Sequence, residues 1–143
     1  MHRTRGGHAA SDNVGAFATF DNALAELLQE RRPHIVSRFG LDARIVAIAD
    51  RSGFLVRPAG IPEDELRGIL ESKAGGTAIA LRRDAIACDD PAVMVRHVLR
   101  YRLARPVLVD VTDGEDTGAA LLEALRLGCD VVAANKKPLA GPL

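Results

Sequence analysis

Three short segments carry polar side chains directly after apolar runs: Ala49-Asp50-Arg51-Ser52, Val111-Thr112-Asp113-Gly114 and Ala134-Asn135-Lys136-Lys137. In a sheet of parallel strands, ligands bind beyond the carboxyl ends of the strands, so this is where a nucleotide site belongs. An acid closing such a strand accepts hydrogen bonds from adenosine ribose hydroxyls, and Asp50 is placed for that role. Arg51 follows it and can pair instead with a 2′-phosphate. Asp50 favours NAD and Arg51 favours NADP, and the sequence leaves the preference open. The plain alternative is that Asp50 to Gly53 is only a polar turn. Thr112 offers a hydroxyl and backbone groups to a ligand, or else serves as a turn or cap residue. Lys136 and Lys137 can neutralise a phosphate or a substrate carboxylate, or can simply be solvated. The order of the three segments along the chain, more than any one of them, points to a nucleotide.

Other chemistry finds little support. Cys88 and Cys129 fit no metal-ligand spacing, and no metal site is expected. Cys129 sits in an apolar run and reads as a small buried hydrophobe. The formal net charge is +0 and aromatic residues are 3%, with no Trp. Neither bulk electrostatics nor stacking platforms therefore favour nucleic acid. No apolar run is long enough to span a membrane, and the basic start MHRTRGGHAASDN is not followed by a compact apolar segment. These features point to a cytoplasmic chain.

The elements that must position the three segments follow from periodicity. Residues 1–13 read as a disordered tail, and residues 14–143 as one domain. Asp21 to Phe39 has helical spacing, with Leu24, Leu27, Leu28, Ile35 and Phe39 apolar. Pro33 predicts a kink or a break there. Arg44 to Asp50 reads as a buried strand that Ser52-Gly53 ends. A helix opens at Ile61-Pro62-Glu63 and ends near Gly75-Gly76. Residues 76–89 are ambiguous, and an Asp-Pro signal starts a helix over Asp90 to Tyr101. Val107 to Val111 is a strand, Thr117 to Arg126 a helix with Leu121, Leu122 and Leu125 on one face, and Asp130 to Ala134 a strand. Strand, helix and strand in this order make a right-handed βαβ unit.

These residues carry a resemblance. The stretch from Val107 to Pro138, VLVDVTDGEDTGAALLEALRLGCDVVAANKKP, resembles homoserine dehydrogenases, in which a strand ends in Asp-x-Thr and a later one in Asn-Lys-Lys. GLDARIVAIADRSG and ALAELLQERR are similar to the same family. The resemblance covers roughly residues 15 to 143. It implies the N-terminal NAD(P)-binding domain of an enzyme acting on homoserine and aspartate semialdehyde. It also implies that Thr112, Asn135 and Lys136 line the cofactor site, with Lys136 close to substrate.

The resemblance also places the family's GxGxxG turn, counted back from Ala23, on Ala16-Phe17-Ala18-Thr19-Phe20-Asp21. Phe17 would then touch cofactor, while all three glycine positions hold other residues. Asp21 would set a carboxylate where the pyrophosphate belongs. NADP or NAD binding no tighter than roughly millimolar is therefore expected. The family's catalytic and dimerisation domain would follow Asn-Lys-Lys. No catalytic residue is assigned within these 143 residues, which alone are expected to be inactive. The partner expected besides the dinucleotide is a separate chain supplying that second domain. The alternative is a non-catalytic, vestigial or partner-docking module. The expected fold is α/β: a Rossmann-like, doubly wound, mainly parallel sheet in a single domain, its first strand irregular or lacking because Ser11 to Gly15 makes a poor central strand.

Overall fold

A computed structural model describes residues 12–19, 22–112 and 116–134, with side chains from Leu24 onward. It is a mixed α/β domain. The elements in order are β1 (Asp12–Thr19), α1 (Asn22–Phe39), β2 (Leu41–Asp50), β3 (Gly53–Val56), α2 (Glu63–Ala74), a 3₁₀ turn (Ile79–Leu81), β4 (Ile86–Ala87), α3 (Pro91–Leu99), β5 (Val107–Asp110), α4 (Gly118–Arg126) and β6 (Asp130–Ala133). The sheet order is β4-β3-β2-β1-β5-β6. β2, β1, β5 and β6 run parallel, and β3 and β4 are antiparallel additions on the β2 side.

The first strand is present, which corrects the expectation that it is missing, and its pairing with β2 shifts register between Ala16 and Phe17. β1 is the central strand, paired along its length with β2 and over Ala16 to Thr19 with β5. Asp12 and Asn13, read from sequence as tail, begin it. Backbone pairing with β2 holds Asp12 to Gly15 in the ladder whatever their side chains, which is why a polar stretch can begin this strand. α1 likewise runs through Pro33 as one helix of 18 residues, not as two. Its contact with β2 holds it across the missing donor.

Helices lie on both faces. Ala47, Ala49, Phe54 and Leu108 pack with Met94, Val95 and Val98 of α3 and with Leu121 and Ala124 of α4. Ile45, Ile48 and Leu55 pack on the other face with Ala25 of α1 and with Leu66, Ile69 and Leu70 of α2. Ile45 and Ile48 share a face because the β1–β2 register shifts between Ala16 and Phe17, leaving Val46 as the extra residue of a bulge. In α4 only Leu121 of the expected apolar face is buried; Leu122 and Leu125 are exposed. Ala120, Leu121 and Ala124 fall within one stripe of a 3.6-residue helix, and Leu122 and Leu125 fall outside it.

β2 turns directly into β3. Asp50 pairs with Gly53, so Arg51 and Ser52 are the two tip residues of a hairpin. Gly53, expected only to end a strand, starts one. A Cβ there would lie 2.2 Å from the Ile86 carbonyl oxygen, so only glycine lets β4 approach.

Candidate nucleotide site

The register sets the carboxyl ends of the parallel strands in a row. Thr19 lies abreast of Ala49 on one side and Asp110 on the other, and Asp110 is abreast of Ala133. The order of strand addition changes side at β1, with β2 reached on one side and β5 on the other. α1 begins at Asn22, three residues after Thr19, with no acid in its first turn. Its dipole and its first-turn N–H groups, which have no acceptor within the helix, suit an anion at this point.

Two loops of the same construction flank that point. At the end of β2, Asp50 Oδ1 accepts from the backbone N–H of Ser52 at 2.8 Å and from the Ser52 hydroxyl. At the end of β5, Asp110 Oδ1 accepts from the N–H of Thr112 at 3.0 Å and from its hydroxyl at 2.7 Å. In both, an acid bonds the backbone and hydroxyl two residues on, which closes a local turn without any distant contact.

The second oxygens differ. Asp50 Oδ2 reaches the α2 face, where Lys73 Nζ donates at 2.5 Å and the Ile79 N–H at 3.0 Å. The Ser52 hydroxyl also accepts from the Ala80 N–H at 3.0 Å. Burial pushes the Asp50 carboxyl up, but the hydrogen bonds from Lys73, Ser52 and Ile79 outweigh it and bring it down to about 2. Asp110 is fully buried on the α4 face. Its Oδ2 accepts from the buried Thr117 hydroxyl at 2.7 Å, at the first turn of α4.

The structure therefore brings Asp50, Arg51 and Thr112 to one edge of the sheet. Arg51 is exposed at the hairpin tip and Thr112 is half-buried. Phe17 lies within β1, abreast of Ala47 and Leu108 and two residues short of the strand end. The counted glycine turn thus needs correction: Ala16 to Thr19 are strand, because their backbone groups are engaged in the ladder with β2 and β5. Asn135 and Lys136 lie outside the described residues.

Sequence reasoning missed Lys73 and Thr117. Lys73 is 23 residues from Asp50, and no local pattern marks the pairing. Thr117 was legible only as a helix start. Cys129 is buried in the α3–α4 core, and burial pushes its thiol up, in keeping with a structural role. Among the described residues no cluster of His, Cys, Asp and Glu could hold a metal ion, and no helix is long and apolar enough to cross a membrane.

Comparison with known proteins extends this geometry. The family model described as "Homoserine dehydrogenase, NAD binding domain" matches residues 19–143. A hyperthermophilic archaeal homoserine dehydrogenase solved in complex with NADPH is 27% identical, with a TM-score of 0.66 over 90% of this chain and 37% of its own. A putative homoserine dehydrogenase from Archaeoglobus fulgidus, 24% identical, shares the fold with a TM-score of 0.63 over 89% of this chain and 35% of its own. The chain thus spans little more than a third of these solved proteins. No curated protein matches it.

Proposed function

Because the chain belongs to the homoserine dehydrogenase NAD-binding domain family, we propose that it is the nucleotide-binding part of an NAD(P)-dependent enzyme interconverting homoserine and aspartate semialdehyde. The observation that carries this reading is the switch point at β1. There the start of α1 and the two Asp-closed turns meet in a Rossmann-like, doubly wound arrangement. Its ligand is a dinucleotide, NADP or NAD. Two thiols with no disulfide partner, Cys88 and Cys129, suit a cytoplasmic setting.

The residues fit the nucleotide unevenly. A carboxylate has about four acceptor positions, and Asp50 already accepts from the Ser52 N–H and hydroxyl, Lys73 and Ile79. A ribose hydroxyl reaching Asp50 must displace one of these. Arg51 stands exposed beside it, so the hairpin tip favours the 2′-phosphate of NADP over the bare ribose of NAD. Thr112 lies at the switch point, and the family resemblance assigns Asn135 and Lys136, which come after β6 in sequence, to the nicotinamide end. Phe17 belongs to β1 beneath the pyrophosphate. The nicotinamide supplies the transferred hydride when bound; the chain's own residues bind and orient it.

The pyrophosphate end is the weak one. Ala16 to Thr19 spend their backbone groups on the sheet, so α1 alone must hold the phosphates. Titration calorimetry should give NADP binding no tighter than about 1 mM, with NAD weaker. Arg51→Gln should remove the difference. Micromolar affinity, or a preference for NAD, would overturn this account. Homoserine with NADP should give no reduced nucleotide with these 143 residues alone. The filled acceptor set of Asp50 favours one second reading, a non-catalytic module that docks on a partner chain. Absence of any nucleotide binding at saturating concentration would select it.

A further inference from the structure

We propose that the pocket between α1, α2 and the amino end of β2 binds a small aliphatic α-amino acid as its zwitterion. This pocket lies at the edge of the sheet opposite the nucleotide row and has a volume of about 190 Å³. That is room for about six water molecules and is below the size of drug-binding pockets, so it suits a small ligand.

Its floor is apolar: Leu28 of α1, Ile45 of β2, Ile61 just before α2, and Leu66 of α2. Its mouth carries fixed charges of both signs. Asp42, buried at the start of β2, takes Nε and Nη2 of Arg32 at 2.6 and 3.0 Å, and Nε of Arg44 at 2.9 Å. Two guanidiniums thus share one carboxylate, which leaves one positive charge in excess. Arg44 Nη1 donates to the Ala59 carbonyl at 3.1 Å. Arg32 Nη1 has no partner among the described residues.

Glu63, also lining the pocket, lies within electrostatic reach of Arg32. Its nearest cation is Arg67 at 3.6 Å, in a well-exposed contact that holds it loosely. The mouth therefore offers a donor for a carboxylate and an acceptor for an ammonium group, above a surface that takes a hydrocarbon side chain. A simple anion would meet Glu63, and a simple cation would meet Arg32. The wall is held in shape by Gly60, whose φ of +104° and contact with the Arg44 side chain admit no Cβ without strain, and by the Ile61 N–H, which donates to the Ile45 carbonyl at 2.8 Å.

The test is amide NMR on the whole chain with L-leucine, glycine, 4-methylpentanoate and 3-methylbutylamine as probes. Leucine should shift the amides of Gly60, Ile61 and Glu63 saturably. The other three, each lacking one of the complementary groups, should bind at least about tenfold more weakly. Ala43→Leu, which fills the pocket from β2, should weaken leucine by a similar factor. Glu63→Gln, on an exposed side chain, should do the same with the fold intact. The proposal is overturned if leucine gives no saturable shift at its solubility limit, if 4-methylpentanoate matches it, or if both variants bind leucine as the parent does.

Discussion

The Asp50-Arg51-Ser52 turn and the Asp110-Val111-Thr112 turn are the same local object set on opposite faces of one sheet. Each acid accepts from the N–H and hydroxyl two residues on. Their second oxygens meet different worlds. Asp50 is answered by a cation, Lys73, whose side chain is 18% exposed against 12% for the carboxyl. Asp110 is 1% exposed, and its second oxygen takes the Thr117 hydroxyl at the start of α4. A rim carboxylate can recruit a long charged side chain whose stem packs while its head stays near water. At the fully buried one the second oxygen takes a short, fixed donor, the Thr117 hydroxyl.

The largest effect should come from Asp110→Ala. It removes the acceptor of the buried Thr117 hydroxyl and of the half-buried Thr112 N–H and hydroxyl, and should destabilise the fold by about 3–5 kcal/mol in urea unfolding. A loss under about 1 kcal/mol would mean that the buried turn is replaceable and the contrast false.

Asp50→Ala should cost less, about 2–3 kcal/mol, because it removes the carboxylate that accepts from Lys73, the Ser52 hydroxyl and N–H, and the Ile79 N–H. Adding Lys73→Met should recover a good part of that. No recovery would show that the turn matters and the cation does not.

The same pair predicts acid behaviour. The Asp50 carboxyl lies at about 2 in the fold against an ordinary 3.8. A depressed carboxylate contributes stability that is fully present above its unfolded value and is lost as pH falls through its folded value. The loss attributable to Asp50 should therefore run from about pH 4 down to about pH 2 and be absent in Asp50→Asn, a difference of about 1–2 kcal/mol. Asp42, also held at about 2 by Arg32 against burial and with help from Arg44, will lose stability in the same window in both proteins. Identical acid unfolding of the parent and Asp50→Asn would remove the charge-based half of the comparison.

The smallest effects should distinguish the two hydroxyls. Ser52→Ala loses a donor to Asp50 and an acceptor for the Ala80 N–H, and Thr112→Ala loses the donor to Asp110. Each should cost about 1 kcal/mol in the same unfolding assay. Ser52→Ala should also loosen the 3₁₀ turn, read as faster hydrogen exchange at Ala80. Equal exchange would make the hydroxyl a bystander.

Much of this was legible locally. The Asp-x-Ser and Asp-x-Thr turns at the ends of apolar runs, the capping acid Asp90 and the helices from Glu63, Pro91 and Gly118 follow from propensity and spacing. These depend on neighbours a few residues apart. The sequence by itself determined the parallel βαβ order, the positions of the strand-end turns and the family resemblance of Val107 to Pro138. Three things were decided only by the tertiary structure. β1 extends through Ala16 to Thr19 because β2 and β5 supply ladder partners to a stretch whose side chains say little. Gly53 begins β3 because β4 passes 2.2 Å from where its Cβ would be. Asp50 is neutralised by Lys73, 23 residues away, because α2 folds back over the end of β2. In each case the deciding contact joins segments distant along the chain, and local periodicity carries no record of which distant group fills an acceptor or completes a ladder.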